Sequence, residues 1–155
     1  MSGTEYANLV AGYLATRFGS RGLKVYREIR IGKTIIGKDR CVDIFCVSDD
    51  SQKAFAIECK FQDSQGTVDE KIPYTLEDVR SLPMPGCVAY AGNGFSSGVL
   101  HMLAASPIAA YCLPVPGQSL STAETRELDH VLAVRFGWWD VLVDKRTPIA
   151  NERLI

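Results

Sequence analysis

The chain has 155 residues, 46% of them hydrophobic and 23% charged, a length that holds one core and argues against separate cofactor and substrate lobes. That apolar content excludes a disordered chain. No apolar run approaches the roughly 20 residues of a membrane-spanning helix, and the opening segment, with Glu5, Arg17 and Arg21 around an amphipathic pattern, is unlike a signal sequence. A cytoplasmic protein without a membrane partner is expected.

The net charge of −1 hides a strong asymmetry. Residues 17–40 carry Arg17, Arg21, Lys24, Arg27, Arg30, Lys33, Lys38 and Arg40 against only Glu28 and Asp39. From Asp43 to Asp78 the sign reverses, with Lys53, Lys60 and Lys71 the only bases. A basic arm beside an acidic centre suits a polyanion held while a cation-binding site acts on it; a solvated charged surface gives the same pattern.

Tyr6, Leu9, Val10, Tyr13, Leu14 and Phe18 recur at three- and four-residue spacing and predict a helix over 4–18, ended by Gly19. Residues 24–31 alternate as an exposed strand, with Val25, Arg27, Ile29 and Ile31 on one face and Lys24, Tyr26, Glu28 and Arg30 on the other. After a turn over 32–38, strands at 41–47 and 54–61 form a hairpin across Ser48 to Gln52. Two capping-box spacings, Thr67 to Glu70 and Thr75 to Asp78, with Pro73 between them, predict a kinked or late-starting helix over 67–81.

A strand at 87–91, a helix over 96–105 capped by Ser96 or Ser97, and a strand at 109–113 follow. Pro114, Pro116 and Gly117 mark a boundary. Beyond it Ser121 and Glu124 open a helix over 121–134, and a tail carries Trp138 and Trp139. The order predicts an α/β fold, organised as a core over 1–117 and a C-terminal helix and tail over 118–155. Cys41, Cys46, Cys59, Cys87 and Cys112 are odd in number, lack a C-x-x-C pair and lie in apolar runs. Buried free thiols in a reducing compartment are expected.

Asp43 in C-V-D-I-F-C-V, and Glu58 and Lys60 in A-F-A-I-E-C-K-F, are polar residues inside strands. A carboxylate in an apolar sheet loses several kcal/mol of hydration unless a cation or paired charge compensates it. Two carboxylates on one face of neighbouring antiparallel strands are an oxygen-rich site suited to Mg²⁺, with Mn²⁺ as a substitute. By the two-residue period Lys60 points to the side of Glu58, where its ammonium can orient a water and offset phosphodiester charge. Taken singly, each residue is equally at home in a surface ion pair.

An Asp in one strand and E-x-K in the next, after a helix and a first strand, resembles the PD-(D/E)XK nuclease superfamily over residues 4–113. The resemblance implies a restriction-endonuclease-like core of helix, three-strand meander, helix and strand around a mixed sheet. It implies that Asp43 and Glu58 bind Mg²⁺, that the main-chain carbonyl of Cys59 adds a ligand, and that Lys60 assists the attacking water. Val42 stands where the name-giving Pro would be. The family often adds an acidic residue from the first helix or strand; Glu5 and Glu28 both qualify, and Glu28, on a strand face, is the better placed. The run G-T-V-D-E-K-I-P-Y from Gly66 to Tyr74 is similar to segments of phage-associated and restriction-like members.

On this reading Gln62 shares the active face, and Arg17, Arg21, Lys24, Arg27, Lys33 and Lys71 contact DNA phosphates. The activity implied is Mg²⁺-dependent DNA endonuclease; the alternative is a catalytically silent or accessory DNA-binding subunit with the same fold. Cutting two strands calls for a homodimer, for which Val131, Val134, Phe136, Trp138 and Trp139 offer apolar surface, unless that segment covers its own sheet.

Overall fold

A computed structural model describes residues 1–150, so the last five residues of the segment 118–155 lie outside the described residues. Helix α1 (Gly3–Phe18) begins where the Ser2 hydroxyl accepts the Glu5 N–H at 3.0 Å. A turn of 3-10 helix ends at Gly22, whose φ of 82° lets the chain reverse into β1 (Leu23–Lys33). Strands β2 (Asp39–Ser48) and β3 (Ala54–Phe61) complete an antiparallel meander. Helix α2 (Val68–Arg80) crosses over to β4 (Gly86–Ala91), and α3 (Ser97–Ala105) to β5 (Ala109–Tyr111), both parallel additions. The sheet order is β1-β2-β3-β4-β5, and α4 (Arg126–Phe136) and α5 (Trp139–Val143) close the described chain. The expected α/β architecture, a mixed sheet flanked by helices, is the one observed.

Each sheet face has its own core. Tyr6, Val10 and Leu14 of α1 and Leu128 and Leu132 of α4 pack on Ile44, Cys46, Ile57, Cys59, Cys87 and Ala89. On the other face Ile72, Leu76 and Val79 of α2 and Leu103 of α3 cover Val88 and Tyr90. Each fully buried aliphatic side chain contributes about 1.5–3 kcal/mol. The helices on this second face leave the β1–β2 side open: Asp43, Phe45 and Val47 are only half-buried, and Tyr26 is exposed. A sheet that is greasy throughout one face and bare on part of the other has somewhere to put polar chemistry.

Local departures from the expected elements have identifiable causes. Helix α2 runs unbroken through Pro73 and starts at Val68; Thr67 makes no side-chain cap, and Thr75 donates its hydroxyl to the Lys71 carbonyl inside the helix. Helix α4 begins at Arg126, because Thr122 to Thr125 form their own turn and Ser121 donates to Asp129 Oδ2 at 2.5 Å instead of capping. Strand β5 stops at Tyr111. Cys41 is exposed, unlike the other four thiols. Trp138 stacks on Phe18 at 4.8 Å and Phe136 at 5.1 Å, so α4 and the residues after it share a core with α1. Among the described residues no helix is long and apolar enough to cross a membrane.

Candidate active site

Strands β2 and β3 pair from Val47↔Ala54 to Ile44↔Ile57, and the same register carried one step further sets Asp43 opposite Glu58. The ladder stops there. In place of a main-chain bond, Asp43 Oδ2 accepts the N–H of Cys59 at 2.8 Å, so a carboxylate spans the gap between the parting strands. Glu58 and Lys60 alternate with buried Ile57 and Cys59, which places both on the open face of β3 with Asp43. They line a cleft of about 320 Å³ whose wall is formed by Arg40 and Asp78 and which Thr34 and Tyr74 also border.

Burial, followed by the neighbouring Asp43 carboxylate, pushes the Glu58 carboxyl up to about 8, with the Lys60 ammonium opposing the rise. Unless a cation neutralises it, the Glu58 carboxyl therefore keeps its proton well above the ordinary carboxylate range. The same pair offers hard oxygen donors to a small divalent cation. The donor set fits Mg²⁺ or Mn²⁺ with water completing the shell, since among the described residues no three Asp, Glu, His or Cys side chains converge on one point.

Glu28 faces Asp43 across β1–β2, between the pairs Arg27↔Ile44 and Ile29↔Val42, yet it is not gathered with the other two carboxylates. Its φ is 55° although β1 and its register with β2 continue on both sides, and its exposed side chain lies 3.7 Å from the Arg27 guanidinium. Arg27 itself donates to the main-chain oxygen of Asp43 and to Asn8 Oδ1 at 2.9 Å, tying β1, β2 and α1 together behind the site.

Gln62 is buried and committed. Its Nε2 donates to the Gly94 carbonyl at 2.8 Å and to Asp69 Oδ1 at 3.3 Å, and its Oε1 accepts the Asp69 N–H at 3.2 Å. It therefore pins the end of β3 to the start of α2 and to the loop before α3, roughly 13 Å along the strand from Glu58 at 3.3 Å per residue. The close approach needs Gly92, with φ of 107°, because a side chain there would strike the Gln62 backbone.

The basic stretch is largely paired within the chain. Arg21 makes a bidentate bond to Asp140 at 2.9 and 2.5 Å, and Arg17 lies over the Phe18 ring and lines a separate cleft beside α4 and α5. Lys24 pairs with Asp49 at 3.3 Å and Lys33 with Asp39 at 2.5 Å, while Lys71 is exposed on α2. Lys33 adjoins Thr34, and Lys71 lies on the helix that supplies Tyr74, Thr75 and Asp78, all four of which border the cleft. Missed in the sequence were Arg40 and Asp78, a buried ion pair at 2.8 Å joining β2 to α2. A bulge between Arg30 and Lys33 breaks the alternation opposite Arg40, so the two-residue period misplaces it with Val42 and Ile44.

A family profile described as "PD-(D/E)XK nuclease superfamily domain" matches residues 2–139. No curated protein sequence matches the chain. Among solved structures, the protein of unknown function AF1548 is similar at 14% identity and TM-score 0.43, covering 66% of this chain and 56% of its own. A repair endonuclease from Pyrococcus abyssi is similar at 19% identity and TM-score 0.37, over 67% of this chain and 43% of its own. The chain thus spans little more than half of the first structure and less than half of the second. With the profile covering all five strands and four of the helices in full, the chain belongs to the PD-(D/E)XK nuclease superfamily.

Proposed function

We propose that the protein is a Mg²⁺-dependent endonuclease that hydrolyses phosphodiester bonds in DNA. The observation that carries this reading is the juxtaposition of Asp43 and Glu58 where β2 and β3 part, with Lys60 on the same face and beside an open cleft. Asp43 and Glu58, with the main-chain carbonyl of Cys59, hold the cation, which when bound supplies Lewis acidity toward water and the scissile phosphate. Lys60 orients the attacking water and donates to a non-bridging phosphate oxygen, offsetting the charge that develops there. Arg27 keeps the Asp43 backbone in place from the opposite face, and Gln62 keeps α2 against the strand end, so both act on the site as positioning residues. Lys33 and Lys71 supply phosphate contacts at the cleft.

Paired cuts need a second copy. Trp139, Val134 and Val143 are all more than half exposed on α4 and α5, which makes this surface the contact we favour.

The test is incubation of purified protein with supercoiled, linear, single-stranded and branched DNA in Mg²⁺, Mn²⁺ or EDTA. Nicking or linearisation that needs the cation and disappears in Asp43→Ala and Glu58→Ala supports the reading. Equal cutting by wild type and both variants refutes it.

A further inference from the structure

The tip of the β1–β2 hairpin is unusual for a solvent-facing turn. Ile35 and Ile36 stand side by side, 49% and 61% exposed, and neither joins either of the two cores. A two-residue aliphatic tip in water is unfavourable by the area it fails to bury, and a flexible polar turn would serve as well to reverse the strands.

This tip is also held firmly. The Thr34 N–H donates to the Lys38 carbonyl at 2.7 Å, the Gly37 N–H donates to the Thr34 carbonyl at 2.9 Å, and the Thr34 hydroxyl accepts the Lys38 N–H at 3.2 Å. The Ile35 N–H donates to Asp78 Oδ1 at 3.2 Å, and Asp78 is fixed by buried Arg40. The hairpin is thereby clamped to α2 at the wall of the cleft that contains Glu58 and Lys60. Thr34, at the base of the tip, and Tyr74 of α2, 39% exposed, border that same cleft. Two lysines flank the tip, Lys33, which pairs with Asp39 at 2.5 Å, and exposed Lys38, so the apolar pair sits in a surround of net positive charge.

We propose that Ile35 and Ile36 are a wedge that enters the base stack of the nucleic acid held at this cleft, so that the protein prefers duplex next to unpaired strand over continuous duplex. This rests on the nuclease reading and extends it to the shape of the substrate. Apolar side chains inserted at a base step replace stacking surface and open the step, a cost of a few kcal/mol that falls where bases are already unpaired. Cations on either side hold the two phosphate backbones as they diverge. Tyr74 offers a ring on which a released base can stack. A protein partner would also be drawn to exposed isoleucines, but the flanking lysines and the continuity with Glu58 and Lys60 favour a polyanion.

The experiment uses the full chain with Ca²⁺ in place of Mg²⁺, and two DNAs of equal length, one fully paired and one with splayed single-stranded arms. A fluorescent purine analogue at the junction, and at the matching position of the duplex, brightens when it is unstacked. Wild type should bind the splayed DNA roughly tenfold or more tightly than the duplex, the effect of burying one aliphatic side chain, and should brighten the probe. Ile35→Ser with Ile36→Ser should melt at the wild-type temperature, since both side chains are exposed, keep duplex affinity, and lose both preference and brightening. Wild type that binds both DNAs equally without brightening, or a double variant that keeps the preference, overturns the wedge and leaves the nuclease reading standing. A protein that binds neither DNA and cuts none overturns both.

Discussion

Asp78 on α2 and Arg40 on β2 meet at 2.8 Å with side chains only 11% and 5% exposed, and the same Asp78 oxygen also accepts the Ile35 N–H. One carboxylate thus joins the hairpin, the strand and the helix around the cleft. Removing one member of a buried pair strands the other charge, which costs about 3–5 kcal/mol. Asp78→Ala should therefore lower the urea midpoint sharply, and Arg40→Met with Asp78→Leu should recover much of that loss. Retained wild-type stability in Asp78→Ala would show that the pair is solvated.

Glu58 makes stability depend on pH in the direction opposite to an ordinary ion-paired carboxylate. Its folded-state value, about 8, lies above the unfolded one, so folding takes up a proton between the two. Below the usual carboxyl range the group is neutral in both states; as pH rises toward 8 the folded state loses stability. Cation-free protein should thus melt at a lower temperature at pH 8 than at pH 6, with Glu58→Gln flattening the difference. Mg²⁺ should raise the melting temperature at pH 8 in wild type and much less in Glu58→Gln. Thermal scans across pH with and without EDTA check both.

Lys60→Ala should separate cation binding from turnover. The Mg²⁺-dependent rise in melting temperature should persist while cleavage slows by roughly 10²-fold, the usual effect of losing one positioned catalytic group. Unchanged cleavage would return Lys60 to the role of a surface charge.

Gln62→Ala should destabilise rather than silence. It removes three hydrogen bonds and leaves the half-buried Gly94 carbonyl and Asp69 N–H without their side-chain partner, for about 1–3 kcal/mol. A urea titration reads this loss; if stability is unchanged and cleavage is gone, Gln62 belongs with the reacting groups.

Light scattering on wild type and Trp139→Ser tests assembly. A dimer that dissociates in the variant supports the α4–α5 contact, while a monomeric wild type removes it.

The open face of β3 was legible because strict alternation makes Glu58 and Lys60 neighbours whatever surrounds them, and Asp43 obeys the same period in β2. What escaped was set by tertiary contact. Nothing local marks Gln62 as the partner of Asp69 and Gly94, and nothing local marks Asp78 as the partner of Arg40. The partner of Arg21 was hidden for the same reason, because Asp140 lies far along the chain. Short-range period shows where a side chain points in a regular strand; bulges and long-range partners decide the rest.

Trp138, stacked between Phe18 and Phe136, gives the order of synthesis a consequence for activity. A chain emerging from its N-terminus has the Asp43, Glu58 and Lys60 strands early, yet Tyr6, Val10, Leu14 and Phe18 of α1 have no finished core until Leu128, Leu132 and Trp138 arrive. Until then the sheet that carries the carboxylates lacks the part of its apolar cover that α4 and Trp138 supply. Residues 126–138 thus matter to the site without lining its cleft: a chain that has not yet made them carries Asp43, Glu58 and Lys60 on an incompletely covered sheet, and the geometry of the three waits on that segment.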